Sequence, residues 1–223
     1  MSNGARQLYD FRRQIEERGF DKIAGVDEAG RGPLAGPIVA GAVVLPRQQL
    51  PFLVCDSKQI AEKKRAKLYE HIFKVAVSVG IGIVSPGRID EINIHNATLE
   101  AMHKAVTHLK LKADFYIVDG KFRIPNLKIP GKAVVLGDAQ VDCVAAASII
   151  AKVTRDKLLL ELDEQYPQYG FASHKGYPTP KHLAALKTYG PCPVHRFSFA
   201  PVRLAHQSLF QWAEDNTAKQ DTS

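Results

Sequence analysis

Ala24-Gly25-Val26-Asp27-Glu28-Ala29-Gly30-Arg31-Gly32-Pro33-Leu34-Ala35-Gly36-Pro37 runs out of an apolar segment, through two adjacent acids, into a loop of glycines and prolines. Ile23 to Val26 and then Ile38 to Leu45 are β-branched runs, which read as two strands, and the Gly/Pro-rich connection between them predicts a hairpin. Neighbouring residues of a regular strand face opposite ways, so Asp27 and Glu28 reach one point only if the strand bends there. Gly25, Gly30 and Gly32 bracket the pair with residues suited to bends and to close backbone approach. Acid beside exposed backbone N–H groups and a guanidinium suits a phosphodiester. The spacing Gly30-x-Gly32-x-x-x-Gly36 leads into a strand-like run, so it is not a dinucleotide fingerprint, and no Walker A sequence is present.

Outward from this segment, residues 5 to 19 mix charges with Leu8, Phe11 and Ile15 at helical spacing, a short amphipathic helix. Glu62 to Val75 reads as a helix with Leu68, Ile72 and Val75 on one face, and Val75 to Val84 as a third strand. Ile94 to Leu111 carries the stripe Leu99, Met102, Val106 and Leu109 of another helix. Phe115 to Val118 and Ala133 to Leu136 are two more short strands, and Asp142 begins a long, alanine-rich helix. Thr179 before Pro180, with Gly190 ten residues on, marks a further helix with its cap, first-turn proline and glycine stop. Strands followed by helices after an initial hairpin predict an α/β domain with a mixed sheet.

Composition bounds what this domain can be. The chain has 223 residues, 45% hydrophobic and 24% charged, enough for one sizeable core and unlike a disordered or collagen-like chain. No apolar stretch reaches the ~18 residues of a membrane span, and the charged first twenty residues lack the apolar block of a secretory signal. Cys55, Cys143 and Cys192 are scattered and odd in number, which predicts reduced thiols in a cytoplasmic protein. A net charge of +7 favours a polyanionic partner without identifying one.

Acids recur where strands end: Val26-Asp27-Glu28, Val118-Asp119-Gly120 and Leu136-Gly137-Asp138. Strand ends are where α/β proteins place ligands. Either Asp119-Gly120 or Gly137-Asp138 alone reads as a turn. Together they favour a site for a hard divalent cation, because clustered carboxylates repel one another unless a cation holds them.

Beyond this point the motifs become specific. The run Ala24 to Pro37 resembles the signature of bacterial ribonuclease HII, and further segments agree in order: Asp56-Ser57-Lys58, Val118-Asp119-Gly120, Gly137-Asp138, Ala145 to Asp156, and His174-Lys175-Gly176-Tyr177-Pro178-Thr179. The likeness spans Ile23 to Val202. The related type three enzymes carry an extra N-terminal domain, for which the stretch before Ile23 is too short. The resemblance implies a ribonuclease H-like mixed β-sheet flanked by helices, with a helical C-terminal region. Its expected layout is a helical extension over 1–22, a catalytic domain over 23–202 and a C-terminal segment with a solvated tail over 203–223.

It further implies that Asp27, Glu28, Asp119 and Asp138 are the catalytic, metal-holding carboxylates, with Mn2+ or Mg2+ as cofactor. The implied reaction is two-metal hydrolysis on the 5′ side of ribonucleotides, in RNA/DNA hybrids or embedded singly in duplex DNA, leaving 5′-phosphate and 3′-hydroxyl ends, as ribonucleotide excision repair requires. Gly30, Arg31 and Gly32 would sense the ribose 2′-hydroxyl, and Tyr177 would pack on the sugar. Lys58, Lys63, Lys64, Arg65 and Lys175 are candidate phosphate contacts, of which Lys58 and Lys175 stand in motifs while Lys63 to Lys67 read as a solvated helix face. Asp142 is expected to cap the long helix and Asp156 to pair on it. Ala61 replaces the serine with which the family usually caps the helix that follows, at a cost of ~1 kcal/mol. No two histidines form a recognisable ligand pair. A monomer without membrane contact is expected. A junction-resolvase-like nuclease would explain the acids but not the Gly-Arg-Gly and Lys-Gly-Tyr segments, and a non-catalytic nucleic-acid-binding module would not need the acids.

Overall fold

The computed structural model describes residues 3–48 and 61–207; Cys55, the Asp56-Ser57-Lys58 motif and the C-terminal tail lie outside them. The predicted hairpin forms. Strand β1 (Ile23–Ala29) pairs antiparallel with β2 (Ile38–Val44), and β2 pairs antiparallel with β3 (Ser78–Val84). On its other side β1 runs parallel to β4 (Phe115–Asp119), and β4 parallel to β5 (Gly131–Val134), giving the order β3-β2-β1-β4-β5. The sheet is mixed and flanked by helices, as the segment pattern predicts.

Alternation along the strands divides the core into two layers. Ile23, Val43 and Ile117 face the long helix α4 (Asp142–Gln165), with Ile15 of α1 (Asn3–Glu16) and Leu68 and Ile72 of α2 (Glu62–Val75) packed into the same layer. Ala24, Val26, Ala42 and Val118 face the opposite way, onto Ala97, Ala101, Met102 and Ala105 of α3 (Pro86–Thr107). Helix α4 is buried on almost every position up to Ala151, because the sheet covers one side and α1 and α2 the other. A third cluster joins Leu34, Ala35 and Leu159 to Tyr169, Phe171, Leu186 and Val202, fastening the C-terminal region to the loop after β1. That region contains α5 (Phe171–His174) and α6 (Pro180–Tyr189).

Helix α6 has the predicted ends: the Thr179 hydroxyl accepts from the His182 N–H, Pro180 starts the first turn and Gly190 stops it. Ala61 heads α2 without a side-chain cap, as its residue type dictates. Three expectations need correction. Helix α3 starts at Pro86, capped by Ser85, and is interrupted at Asn93 (φ 66°, ψ 164°), whose Oδ1 accepts from the N–H groups of His95 and Asn96 and so caps the second segment, near the predicted start at Ile94. Strand β5 ends at Val134, so Asp138 sits in a short 3₁₀ turn (Gly137–Ala139) beyond a left-handed Leu136 (φ 57°). Asp142 does not cap α4. The cap position is Val141, and Asp142 is instead drawn into a buried pair with Arg12, whose Nη2 lies 2.9 Å from Oδ2. Asp156 pairs along α4 with Lys152 at 2.7 Å, as expected.

Candidate active site

The acids converge because of the parallel pairing in the middle of the sheet. Val26 and Val118 are register partners, so Asp27 and Asp119 follow directly on the last paired couple of β1 and β4. The Asp119 Oδ1 accepts the Gly137 N–H at 2.7 Å, which ties the turn carrying Asp138 to the end of β4. Asp27 and Asp138 are both buried. Burial pushes the Asp27 carboxyl well up, and the charges of Glu28, Asp119 and Asp138 push it the same way, against the Glu28 N–H that Oδ1 accepts at 2.7 Å. Glu28 is also raised, first by burial; Arg31, 3.4 Å away, and the charge of Asp119 oppose each other.

Asp27 and Glu28 open onto a cavity of about 360 Å³ whose wall includes Gly30, Arg31, Gly32 and Tyr177. Glu28 also borders a second depression of about 80 Å³, shared with Asp119, Thr98 and Phe122. The adjacent acids thus serve neighbouring hollows from the end of one strand. Among the described residues no three His, Cys, Asp or Glu side chains already stand in a metal-ligating arrangement. The donor set is nevertheless all carboxylate oxygen, partly buried and mutually repelling, which is the chemistry of a hard divalent cation site.

Besides the acids, the cavity wall carries basic and polar side chains. Ser148, Lys152 and Arg155 recur at helical spacing along α4, and Arg65 reaches in from α2 to within 3.8 Å of Asp156. The sequence reading named Arg65 but placed it on a solvated face, and it missed Ser148, Lys152 and Arg155, although their spacing within Ala145 to Asp156 puts them on one helix face. Lys63, Lys64 and Lys67 are exposed, as read. The Lys175 ammonium donates to the Ala172 carbonyl at 2.7 Å and is not part of the cavity wall. Lys58 lies outside the described residues.

Tyr177 is 44% exposed, and a β-carbon on Gly32 would lie 3.6 Å from its ring. Its backbone is held from behind by histidines. Cys192 N–H donates to His195 Nδ1 at 3.0 Å, which leaves the proton on His195 Nε2 to be shared with His182 Nε2, also at 3.0 Å; His182 Nδ1–H then donates to the Tyr177 carbonyl at 2.9 Å. This assignment needs both rings neutral. Burial agrees, lowering His182 and taking His195 down to about 4. His182 and His195 thus serve the structure of this loop, and their mutual bond has no local sequence signal.

The ribonuclease HII family model matches residues 24–202. A ribonuclease HII of Endomicrobium trichonymphae is 50% identical over 196 residues, 87% of this chain and 93% of that protein. One of Chlamydia caviae is 52% identical over 194 residues, 86% and 91% respectively. Among solved structures, ribonuclease H2 from Pyrococcus horikoshii OT3 superposes with a TM-score of 0.73 at 29% identity, covering 84% of this chain and 98% of that one. RNase HII in the PCNA complex from Archaeoglobus fulgidus gives 0.64 at 30% identity, over 75% and 88%.

Proposed function

Because the chain belongs to the ribonuclease HII family, and is therefore a ribonuclease H that hydrolyses nucleic acid, we propose that it cuts on the 5′ side of ribonucleotides, both in RNA/DNA hybrids and embedded singly in duplex DNA. One observation carries this reading: the acids at the end of β1 and the Gly30-Arg31-Gly32 backbone face one cavity with Tyr177. Hydrolysis needs the first group, and a choice between ribose and deoxyribose needs the second.

In this reading Asp27, Glu28, Asp119 and Asp138 hold divalent cations, Mn2+ or Mg2+. Bound there, such ions would supply Lewis acidity at the scissile phosphate and ease deprotonation of water. Water oxygen forms the new bond to phosphorus, and the bond from phosphorus to the O3′ of the upstream nucleotide breaks. The products are a 3′-hydroxyl upstream and a 5′-phosphate on the ribonucleotide. The 2′-hydroxyl lies on the far side of the cut and serves recognition, which the Gly30 to Gly32 backbone can supply because no Cβ from either glycine holds the sugar away.

Tyr177 packs against that sugar. Lys58 and Lys175 remain candidate phosphate contacts, and Arg65 and Lys152 join them as the basic wall of the cavity. Residues 23–202 form the catalytic domain with its helical C-terminal region, between extensions over 1–22 and 203–223, and the protein acts as a cytoplasmic monomer. Among the described residues no helix is long and apolar enough to cross a membrane.

The deciding experiment incubates the protein with a duplex carrying one ribonucleotide, with and without Mn2+ or Mg2+. Metal-dependent cleavage at the 5′ side of the ribonucleotide is expected. Equal cleavage of an all-DNA duplex would replace this reading with a junction-resolvase-like one.

A further inference from the structure

Two arginines lie wholly inside the protein beneath the loop that follows β1. Arg155 is 1% exposed and Arg196 0%. Among the described residues neither forms an ion pair; both spend their donors on backbone carbonyls. Arg155 donates to Pro37 from Nε, to Lys175 from Nη1 and to Ala35 from Nη2, each at 3.0 Å. Arg196 donates from Nη2 to Gly30 at 2.6 Å and from Nη1 to Arg31 at 3.1 Å, and both Nε and Nη2 reach Gly36, at 3.0 and 2.9 Å. Its guanidinium lies 5.2 Å from the centre of the Phe199 ring. Burial lowers both groups, Arg196 to about 9 and Arg155 to about 10. A buried cation without a carboxylate is costly, so its placement under this one loop calls for a reason.

The geometry of the peptide unit provides one. No peptide bond here is cis, and in a planar trans unit the C=O and the following N–H point in opposite directions. With the Gly30 carbonyl fixed on Arg196, the Arg31 N–H is turned away from the guanidinium; with the Arg31 carbonyl fixed, so is the Gly32 N–H. Both residues border the cavity, and among the described residues neither N–H has an acceptor within the protein. A cation on the carbonyl also polarises the amide and makes its N–H a stronger donor. Gly30 takes φ +104°, a conformation an L side chain rarely adopts, and a Cβ there would lie 2.2 Å from Arg155 Nε.

We propose that Arg196 is a positioning residue for ribose discrimination: by clamping the Gly30 and Arg31 carbonyls it presents the N–H groups of Arg31 and Gly32 to the 2′-oxygen of the substrate. The inference rests on the reading that Gly30 to Gly32 meets the ribose. A lysine cannot replace Arg196, because one ammonium lacks the planar fork that spans several carbonyls.

The test is Arg196→Lys, assayed in Mn2+ or Mg2+ on a duplex with one ribonucleotide, with an all-DNA duplex as competitor and rates divided by the folded fraction measured by circular dichroism. The expected result is a roughly tenfold to hundredfold loss of kcat/KM, the scale of a misplaced binding group, with the Ki of the all-DNA duplex unchanged. A purely structural role would leave kcat/KM per folded molecule at the wild-type value, and a role in general duplex docking would raise KM and Ki together; either result overturns the proposal. Phe199→Leu keeps the charge and loosens the fork, and should give a smaller loss of the same kind. If Arg196→Lys does not fold, an unchanged kcat/KM in Phe199→Leu overturns the proposal. Cleavage of all-DNA duplex by the unaltered enzyme would instead defeat the underlying reading of the loop.

Discussion

Gly25 of β1 lies against the backbone of Cys143 in α4, so close that a Cβ on the glycine would stand 2.1 Å from the Cys143 carbonyl carbon. This contact seats the start of α4 directly on the strand that ends in Asp27 and Glu28. Gly25→Ala must push the helix off the sheet, so it should destabilise by more than the ~1–3 kcal/mol usual for overpacking. Urea denaturation would measure it, and a loss below that range would mean the helix yields more easily than its packing implies.

Neutralising the buried acid should separate stability from activity. Asp27 carries the burial cost and the repulsion of three neighbouring acids. Asp27→Asn should therefore abolish cleavage yet raise the melting temperature of the metal-free protein, by roughly 2–4 °C for each kcal/mol relieved in a chain of this size. Glu28→Gln, Asp119→Asn and Asp138→Asn should likewise lose cleavage. Retained activity in any of them removes that residue from the site.

Chelation should silence the enzyme reversibly, and added Mn2+ or Mg2+ should raise the melting temperature of the wild type more than that of Asp27→Asn, since ligand binding to the folded state stabilises it. Calorimetry at matched ionic strength reads both. Full activity after exhaustive metal removal would contradict the metal-dependent mechanism.

Aromatic and ionic contacts should leave different marks. Tyr177→Ala should lower cleavage at an isolated ribonucleotide with little change in salt dependence, because no charge is lost. Lys152→Ala should reduce the slope of log affinity against log salt by about 0.9 if the ammonium contacts one phosphate of B-form DNA. Binding titrations across several salt concentrations distinguish the two variants.

His195 sets a pH limit on the fold. Its folded value of about 4 lies below the ordinary 6.5, so the unfolded chain binds the proton first as pH falls. Stability is then full above about pH 6.5 and declines down to about pH 4, by on the order of 3 kcal/mol from this group, with His182 acting in the same direction. Melting curves across that range should flatten in His195→Gln.

The local features of this protein were legible in the chain itself. Thr179, Pro180 and Gly190 set the ends of α6, and the hairpin and the Lys152–Asp156 pair followed from short-range rules. The family followed from motifs in order. Those signals survive in sequence because capping, periodicity and i,i+4 pairing act over a few residues. Arg12 finding Asp142, 130 positions away, and Arg196 finding Gly30, 166 positions away, have no such local signature. Nor does the parallel register that sets Asp27 beside Asp119. Only the assembled sheet, with α4 pressed on it and the C-terminal region folded back under the loop, brings these groups into contact, because each charge is buried only where distant segments supply its partners.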